Sequence, residues 1–262
     1  MSSCFLKIIA IIAMTIDHAA KIIGQSGLMQ IFPRMPLSTS YLIVNLMEAI
    51  GRIAFPLYAF MITEGFFKSR SVPKYIGRMA LFAIISEPVF YCAFNLNTGS
   101  LYSFLENLAR LHLTNVYFTL TLGLAAIYFY QRINRKTGKP LLLFSPFLLL
   151  MILFAGYIKC DYGIAGIILI FALHLSKKKW QKVTVLCFWA VGVYLFGQAF
   201  NGLTFAWTQI TEFSIANCLF AIFPCVLIWL YNGRRGYPLK WSFYIYYPAH
   251  LIVLSVIAVI LI

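Results

Sequence analysis

Long apolar runs separated by short basic loops constrain the fold of this chain more than any other feature. About 20 apolar residues suffice for a helix to cross the hydrocarbon core of a bilayer. Nine such runs are predicted, over residues 5–24, 42–66, 75–96, 113–131, 140–158, 162–176, 183–200, 213–231 and 242–262. Because lipid offers the backbone no hydrogen bonds, helices are expected there. The sequence therefore predicts an all-α, polytopic transmembrane helix bundle of about nine to ten spans, forming a single domain over 1–262.

The basic residues predict the orientation of this bundle. Lys and Arg number 21 against 7 Asp and Glu, a formal net charge of +14. The loops after the second, fourth, sixth and eighth runs each carry three or four basic residues, whereas the loops on the opposite side carry few. Since positive charge marks cytoplasmic loops, the N-terminus is expected inside. The charge is interpreted as topology and lipid contact, or as a site for a phosphate-bearing ligand, rather than as nucleic-acid binding.

Two further features limit the class of protein. The first apolar run continues past any short signal core, so it is interpreted as a retained span rather than a cleaved signal. The six cysteines show no CxxC or zinc-finger spacing, so they are interpreted as apolar filling and no metal site is expected.

Polar side chains within the apolar runs are the candidates for function, because a carboxylate inside a membrane is expensive and usually faces the interior of the bundle. The acidic residues are Asp17, Glu48, Glu64, Glu87, Glu106, Asp161 and Glu212. Asp17 and His18 lie in the outer half of the first span. Histidine is a general base or nucleophile near neutral pH. Neighbours on a helix diverge by about 100°, so Asp17 is expected to reach Lys21 at i+4 rather than His18.

The second span carries two pairs at i, i+4 spacing, Glu48 with Arg52 and Glu64 with Lys68. Either pair could be a structural ion pair. Pro56 removes the donor for the carbonyl of Arg52 and is expected to kink the helix there.

Later spans add further candidates. Glu87 lies midway along the third span, beside Pro88, and could stay neutral or pair with Arg52. His112, Asn115 and Thr119 are predicted to share one face of the fourth span. Asp161 opens the sixth span at the outer surface. Tyr246 and His250 share a face of the ninth span, where His250 is either a hydrogen-bonded core residue or part of a site.

Two outer segments are interpreted as more than linkers. Residues 101–112 have apolar side chains at helical spacing, which predicts a helix lying in the outer interface. Residues 201–212 combine aromatic and hydroxyl groups, and form either a substrate entrance or an aromatic interface belt.

Six segments together resemble one protein family. They are LKIIAIIAMTIDH at 6–18, GRIAFPLYAFMITEG at 51–65, SEP at 86–88, NVYFTLTLG at 115–123, DYGIAGI at 161–167 and FYIYYPAHL at 243–251. Their order and spacing are similar to those of the TraX family, membrane proteins associated with N-acetylation of conjugative pilin. More distantly they resemble the acyltransferase-3 and heparan glucosaminide acetyltransferase families, which move an acyl group across a membrane from a cytoplasmic thioester.

The resemblance implies an acetyl-CoA-dependent acetyltransferase of the cytoplasmic membrane that uses no metal. Its acceptor would be an amine or hydroxyl at the outer side, on a peptide amino terminus, a glycan or a lipid head group. Catalytic roles are implied for Asp17, His18, Arg52 and His250, with His18 as general base or transient acetyl carrier. The residues expected to bind the donor are Arg52, Lys68, Arg70, Arg234, Arg235 and Lys240. The residues expected to support the site are Glu64, Glu87, Asn115, Thr119, Asp161 and Tyr246.

A non-enzymatic alternative uses the same residues. In a transporter or lipid-handling bundle, Asp17 and Glu87 would be proton-relay groups. Stabilisation by CoA separates the two hypotheses, because a ligand that binds the folded protein raises its melting temperature.

Overall fold

The computed structural model describes residues 1–96, 100–137, 140–197, 200–201, 204–205, 210–237 and 240–261. Within these ranges it describes the backbone alone at residues 136–147, 200–201, 204–205 and 240. The described chain forms two compact units, one of Met1–Tyr58 with Lys178–Ile262 and one of Ala59–Lys177. The single domain predicted over 1–262 stays a prediction.

The first unit contains the two ends of the chain. Its helices are α1 Ser3–Ile22, α2 Gly24–Ile31, α3 Leu37–Gly51, α10 Lys179–Val191, α11 Glu212–Ile222, α12 Pro224–Trp229 and α13 Lys240–Leu261. A π-helical turn over Gly192–Phe196 extends α10. Two short strands, β1 Phe200–Asn201 and β2 Thr204–Phe205, pair antiparallel. Helix α1 packs against α3 and α13.

Along the sequence, the second unit lies between the two segments of the first. Its helices are α5 Val72–Phe94, α6 Leu101–Ala109, α7 Val116–Thr137, α8 Pro140–Ile158 and α9 Gly163–Leu175, and α4 Ala54–Lys68 crosses from one unit to the other along the chain. Helix α7 packs against α5, α8 and α9. Apart from the β1–β2 pair, the described residues are helices and their connections, which confirms the all-α prediction.

Five segments of the described chain are long and apolar enough to cross a membrane, by length and composition. They are Ser3–Ile22, Leu37–Lys68, Val72–Phe94, Glu212–Trp229 and Trp241–Leu261. Shorter apolar helices lie at Leu148–Ile158 and Gly163–Leu175. Each of the nine predicted spans overlaps a helix among the described residues, but the count of nine to ten spans and the cytoplasmic N-terminus stay predictions.

The kink expected in the second span is a complete break between two helices. Helix α3 ends at Gly51 and α4 begins at Ala54. The amides of Arg52 and Ile53 donate to the carbonyls of Ala49 and Ile50, at 3.0 and 3.1 Å, in tight i−3 turns. Pro56 lies in the first turn of α4. The N–H groups of a first turn have no intrahelical acceptor, so the N–H that proline lacks costs no helical hydrogen bond there. The break therefore places Arg52 between two helix ends.

The prolines inside α5 and α13 act differently from Pro56. Helix α5 continues through Pro88 and α13 continues through Pro248. A proline inside a helix removes one hydrogen bond and bends the axis, and the long apolar helices tolerate that loss. Residues 101–112 contain the predicted helix, as α6, and none of the residues of α6 is buried. Half of the segment 201–212 lies outside the described residues.

Candidate active site

The polar centre of the first unit begins on α1. Ser2 caps this helix, with its Oγ accepting from the amide of Phe5 at 3.4 Å. Small residues, Ala10 and Ala13, are buried along the helix and allow close packing. Asp17 and His18 follow on the last turns, with 8% and 7% of their surface exposed. Because α1 is apolar and packed before these residues, the two polar side chains are held in a fixed, buried position.

His18 contacts His250 of α13 directly. Nδ1 of His18 lies 2.8 Å from Nε2 of His250. The two rings are nearly parallel, with centroids 5.0 Å apart and planes 9° from parallel. Both side chains are buried. The structure thus brings together two predicted catalytic residues that are 232 positions apart in the chain.

The backbone carbonyl of Tyr246 sets the tautomers of this pair. It lies 2.9 Å from Nδ1 of His250, and a carbonyl oxygen can only accept, so Nδ1 of His250 carries a proton. A neutral His250 then accepts through Nε2, and the donor to it is Nδ1 of His18. The remaining lone pair of a neutral His18 is therefore on Nε2, which is the basic nitrogen that a general base or nucleophile needs.

Aromatic side chains of α13 fix the orientation of the two imidazoles. The ring of Tyr246 stacks on His250, with centroids 5.1 Å apart. The ring of Tyr247 meets His18 edge-on at 6.1 Å. The hydroxyl of Tyr246 lies 2.9 Å from Oγ1 of Thr15, one turn before His18 on α1. This second bridge between α1 and α13 keeps the two helices in register around the histidine pair.

Asp17 has one satisfied oxygen and one unsatisfied oxygen. Its Oδ2 accepts from Nζ of Lys21 at 2.7 Å, which confirms the predicted i, i+4 pairing. Its Oδ1 is buried and has no hydrogen-bond partner among the residues that the structure describes. Gly51 of α3 packs against this carboxylate, because a Cβ placed on Gly51 would lie 2.6 Å from Oδ1.

We expect Gly51→Ala to destabilise the protein and to displace the Asp17–His18 turn. The added methyl would lie 2.3 Å from Cβ of Asp17, and a change of rotamer cannot move a Cβ atom. Overpacking of this kind costs about 1–3 kcal/mol. The measurement is thermal unfolding in detergent. Gly77→Ala is the matched control, since nothing lies within 4 Å of the added methyl. Equal melting of the two variants would contradict this close packing of α1 against α3.

Arg52 lies at the break between α3 and α4, directly after Gly51. Its Nη2 is 3.5 Å from Oε2 of Glu48, which confirms the predicted pair. Its Nε donates to Oδ1 of Asn217 on α11 at 3.4 Å. The guanidinium also lies over the ring of Tyr194, at 5.9 Å. The guanidinium is thus held by α3, α11 and the π-helical turn, close in sequence to the glycine that contacts Asp17.

In the second unit, Glu87 organises the segment that leads into α7. Its two carboxylate oxygens accept from the amide of Thr114 at 2.7 Å, the hydroxyl of Thr114 at 3.0 Å, the amide of Asn115 at 3.1 Å and the side-chain amide of Asn115 at 2.6 Å. Asn115 also donates to the carbonyl of Ala83 at 2.8 Å. Negative charge at the start of a helix is favourable, so Glu87 acts as a cap for α7.

The same segment joins the entry to α9. The amide of Asp161 donates to the carbonyl of Thr114 at 3.0 Å, and the hydroxyl of Thr119 donates to the carbonyl of Asp161. Tyr162, which follows Asp161 and directly precedes α9, has a positive φ of 59°. Asn115, Thr119 and Asp161 therefore support the geometry of the second unit. His112 precedes α7 and contacts Oδ1 of Asn107 at 3.4 Å, so its predicted place on a shared helical face was wrong.

The predicted donor-binding residues are distributed over both units. Lys68 pairs with Glu64 at 3.3 Å, as predicted from their spacing. Arg70, Arg234 and Arg235 are exposed. The side chain of Lys240 lies outside the described residues.

Comparison with known proteins places these features in one family. The family model described as TraX protein matches residues 2–258. The chain is 31% identical over 258 residues to a protein of Dichelobacter nodosus named probable fimbrial assembly protein FimC, serogroup H1, covering 95% of this chain and 92% of that protein. No solved structure matches the chain. With its several apolar helices, this chain is a multi-pass membrane protein, and it belongs to the TraX family.

Proposed function

We propose that this protein is a membrane-embedded acetyltransferase that moves the acetyl group of acetyl-CoA to an amine or hydroxyl. The supporting observation is the buried His18–His250 pair, whose tautomers are set by the carbonyl of Tyr246. In such a pair one imidazole holds the other in the orientation and protonation state that proton transfer requires.

The chemistry assigned to His18 is proton transfer at Nε2. Acetyl-CoA would supply an activated thioester carbonyl. Nε2 of His18 takes the proton from the acceptor N–H or O–H as the acceptor atom bonds to the acyl carbon. When the C–S bond breaks, the same nitrogen returns the proton to the departing sulfur. The second predicted role, a transient acetyl carrier, would use the same lone pair and would leave an acetyl label on the protein before any acceptor is added.

The role assigned to Arg52 is to stabilise the negative charge that develops on the carbonyl oxygen of the acetyl group. It is always charged and presents several N–H donors, and two of them contact Asn217 and Glu48 at 3.4 and 3.5 Å. Preorganised donors of this kind stabilise an oxyanion. The acceptor would reach the site from the outer face of the cytoplasmic membrane. Since the relative from Dichelobacter nodosus is named for fimbrial assembly, subunits of surface fibres are one class of acceptor.

Purified protein in detergent should melt at a higher temperature when CoA is added, and should transfer labelled acetyl from acetyl-CoA to an added amine or hydroxyl acceptor. A ligand present at 100 times its dissociation constant stabilises the folded state by about 2.7 kcal/mol. Melting unchanged by CoA, together with no transfer of label, would reject the enzyme and favour the transporter.

The alternative function predicts a different measurement. If Asp17 and Glu87 relay protons, proteoliposomes should show proton flux that depends on both carboxylates. The four hydrogen bonds to Glu87 favour a structural role instead, because they hold its carboxylate in one position.

A further inference from the structure

The backbone of the N-terminal residues is hydrogen-bonded to the loop that follows α12. The amides of Ser3 and Cys4 donate to the carbonyls of Arg234 and Arg235, at 2.9 and 3.1 Å. The amide of Asn232 donates to the carbonyl of Met1 at 3.0 Å. We call Met1–Lys7 together with Leu230–Gly236 the basic corner. All of it belongs to the first unit.

Two glycines allow the loop to run this close to the N-terminal segment. Gly233 and Gly236 have φ values of 77° and 72°, which other residues rarely adopt. A Cβ on Gly236 would lie 2.6 Å from Oγ of Ser2. Since the carbonyls of Arg234 and Arg235 are used by the N-terminal segment, the backbone between the glycines is fixed while both arginine side chains are exposed.

The basic corner contains three Lys and Arg residues, Lys7, Arg234 and Arg235, and no Asp or Glu. Lys7 is half-buried, with its Nζ 4.9 Å from the centroid of the Phe243 ring. The amide of Cys4, one turn before Lys7 on α1, donates to the carbonyl of Arg235 at 3.1 Å. Neither Arg234 nor Arg235 forms an ion pair with any carboxylate that the structure describes. The sequence contains no acidic residue in 1–16 or 213–262, and Asp17 lies about 15 Å from Lys7 along α1.

We infer that Lys7, Arg234 and Arg235 form a binding site for phosphate esters at the basic corner. Placing like charges together costs free energy, and an anionic ligand removes that cost. A guanidinium matches two phosphate oxygens at once, whereas an ammonium acts as a point charge. The fixed loop holds the backbone of both arginines and the packed helix α1 holds that of Lys7, so little backbone freedom remains to be lost on binding.

Two sources could supply this phosphate chemistry. One is the nucleotide portion of CoA, and this source rests on the proposed acetyl-CoA-dependent function. The other is the head group of an anionic phospholipid, and this source does not. CoA and phosphate-free pantetheine test the first source, and nanodiscs of phosphatidylglycerol and phosphatidylcholine test the second.

The full-length protein carrying Lys7→Gln or Arg235→Gln should bind CoA about tenfold more weakly, because each change removes a charge-assisted contact to phosphate. Binding of pantetheine should not change. In nanodiscs, any rise in melting temperature produced by phosphatidylglycerol over phosphatidylcholine should shrink in the same variants. Arg34→Gln is the matched control, since Arg34 is an exposed cation of the first unit outside the basic corner. Arg235→Lys should give an intermediate loss and serves if a glutamine variant fails to fold.

The outcomes separate the two proposals. If wild-type protein ignores CoA but prefers phosphatidylglycerol through Lys7 and Arg235, the site stands with a lipid ligand and the acetyl-CoA-dependent function fails. If wild-type protein binds CoA and the variants bind it equally well, with no lipid effect, the basic corner is not a phosphate site. A wild-type protein that responds to neither probe, or an equal loss in Arg34→Gln, also overturns the inference.

Discussion

Replacing His18 with asparagine is expected to lower the rate of acetyl transfer by about 100- to 10,000-fold, the usual contribution of a general acid–base group. Asparagine keeps a short polar side chain that can hydrogen-bond to His250, but it cannot take up a proton. Since the structure assigns the proton on His18 to Nδ1, the loss should arise from the missing lone pair of Nε2. Thermal stability and CoA binding should stay close to those of wild type.

The measurement is single-turnover transfer of labelled acetyl at saturating acetyl-CoA, so that weaker donor binding does not affect the rate. His112→Asn is the matched control: the same substitution at a histidine that lies outside the helices and contacts Asn107. Near-normal turnover in His18→Asn would reject both a proton-transfer role and a carrier role for His18. His250 would then be the next residue to test.

Local patterns in the sequence predicted much of the secondary structure and several contacts. Apolar runs of about 20 residues predicted the helices, because burial in lipid requires both apolar side chains and internal backbone hydrogen bonds. The i, i+4 spacing predicted the pairs of Asp17 with Lys21 and Glu48 with Arg52 correctly. Such pairs depend only on helix geometry, and for this reason one sequence is enough to predict them.

The contacts between distant parts of the chain could not be predicted in the same way. His18 and His250 were each candidates, but their 2.8 Å contact depends on how α1 packs against α13. Gly51 appeared only as one letter of a motif, and its contact with Asp17 depends on the approach of α3 to α1. Nothing in the spacing of these residues specifies a distance across helices, because many packings would bury the same apolar faces.

Glu87 shows how the chemistry of a buried group can be misjudged from sequence. Its position midway along an apolar run suggested a neutral carboxyl, a partner for Arg52 or a proton relay. In the structure, four donors from Thr114 and Asn115 surround its two oxygens. Those donors lie 27 and 28 residues later, in a connection that no periodicity describes. Four donors hold this carboxylate in one position, as a structural role requires.

Glu87→Ala is therefore expected to destabilise the fold strongly. The substitution removes the acceptor of the backbone and side-chain amides of Asn115, a residue with 0% of its surface exposed. Each buried donor left without an acceptor costs about 1–3 kcal/mol, so these two amides together give a loss of about 2–6 kcal/mol. The loss is measured by thermal or denaturant unfolding of the purified protein in detergent.

Glu106→Ala is the control for this experiment, because it removes a carboxylate whose ion pair with Arg110 is exposed and which should contribute at most about 1 kcal/mol. Glu87→Gln distinguishes a cap from a proton relay. Glutamine keeps one acceptor oxygen but directs an NH2 group at the donors of Thr114 and Asn115. If Glu87 is a cap, the stability of Glu87→Gln should therefore lie between that of wild type and that of Glu87→Ala. A relay instead requires Glu87→Gln to fold as well as wild type and to lose only proton-coupled activity. Wild-type stability in both Glu87 variants would show that α7 does not depend on this carboxylate.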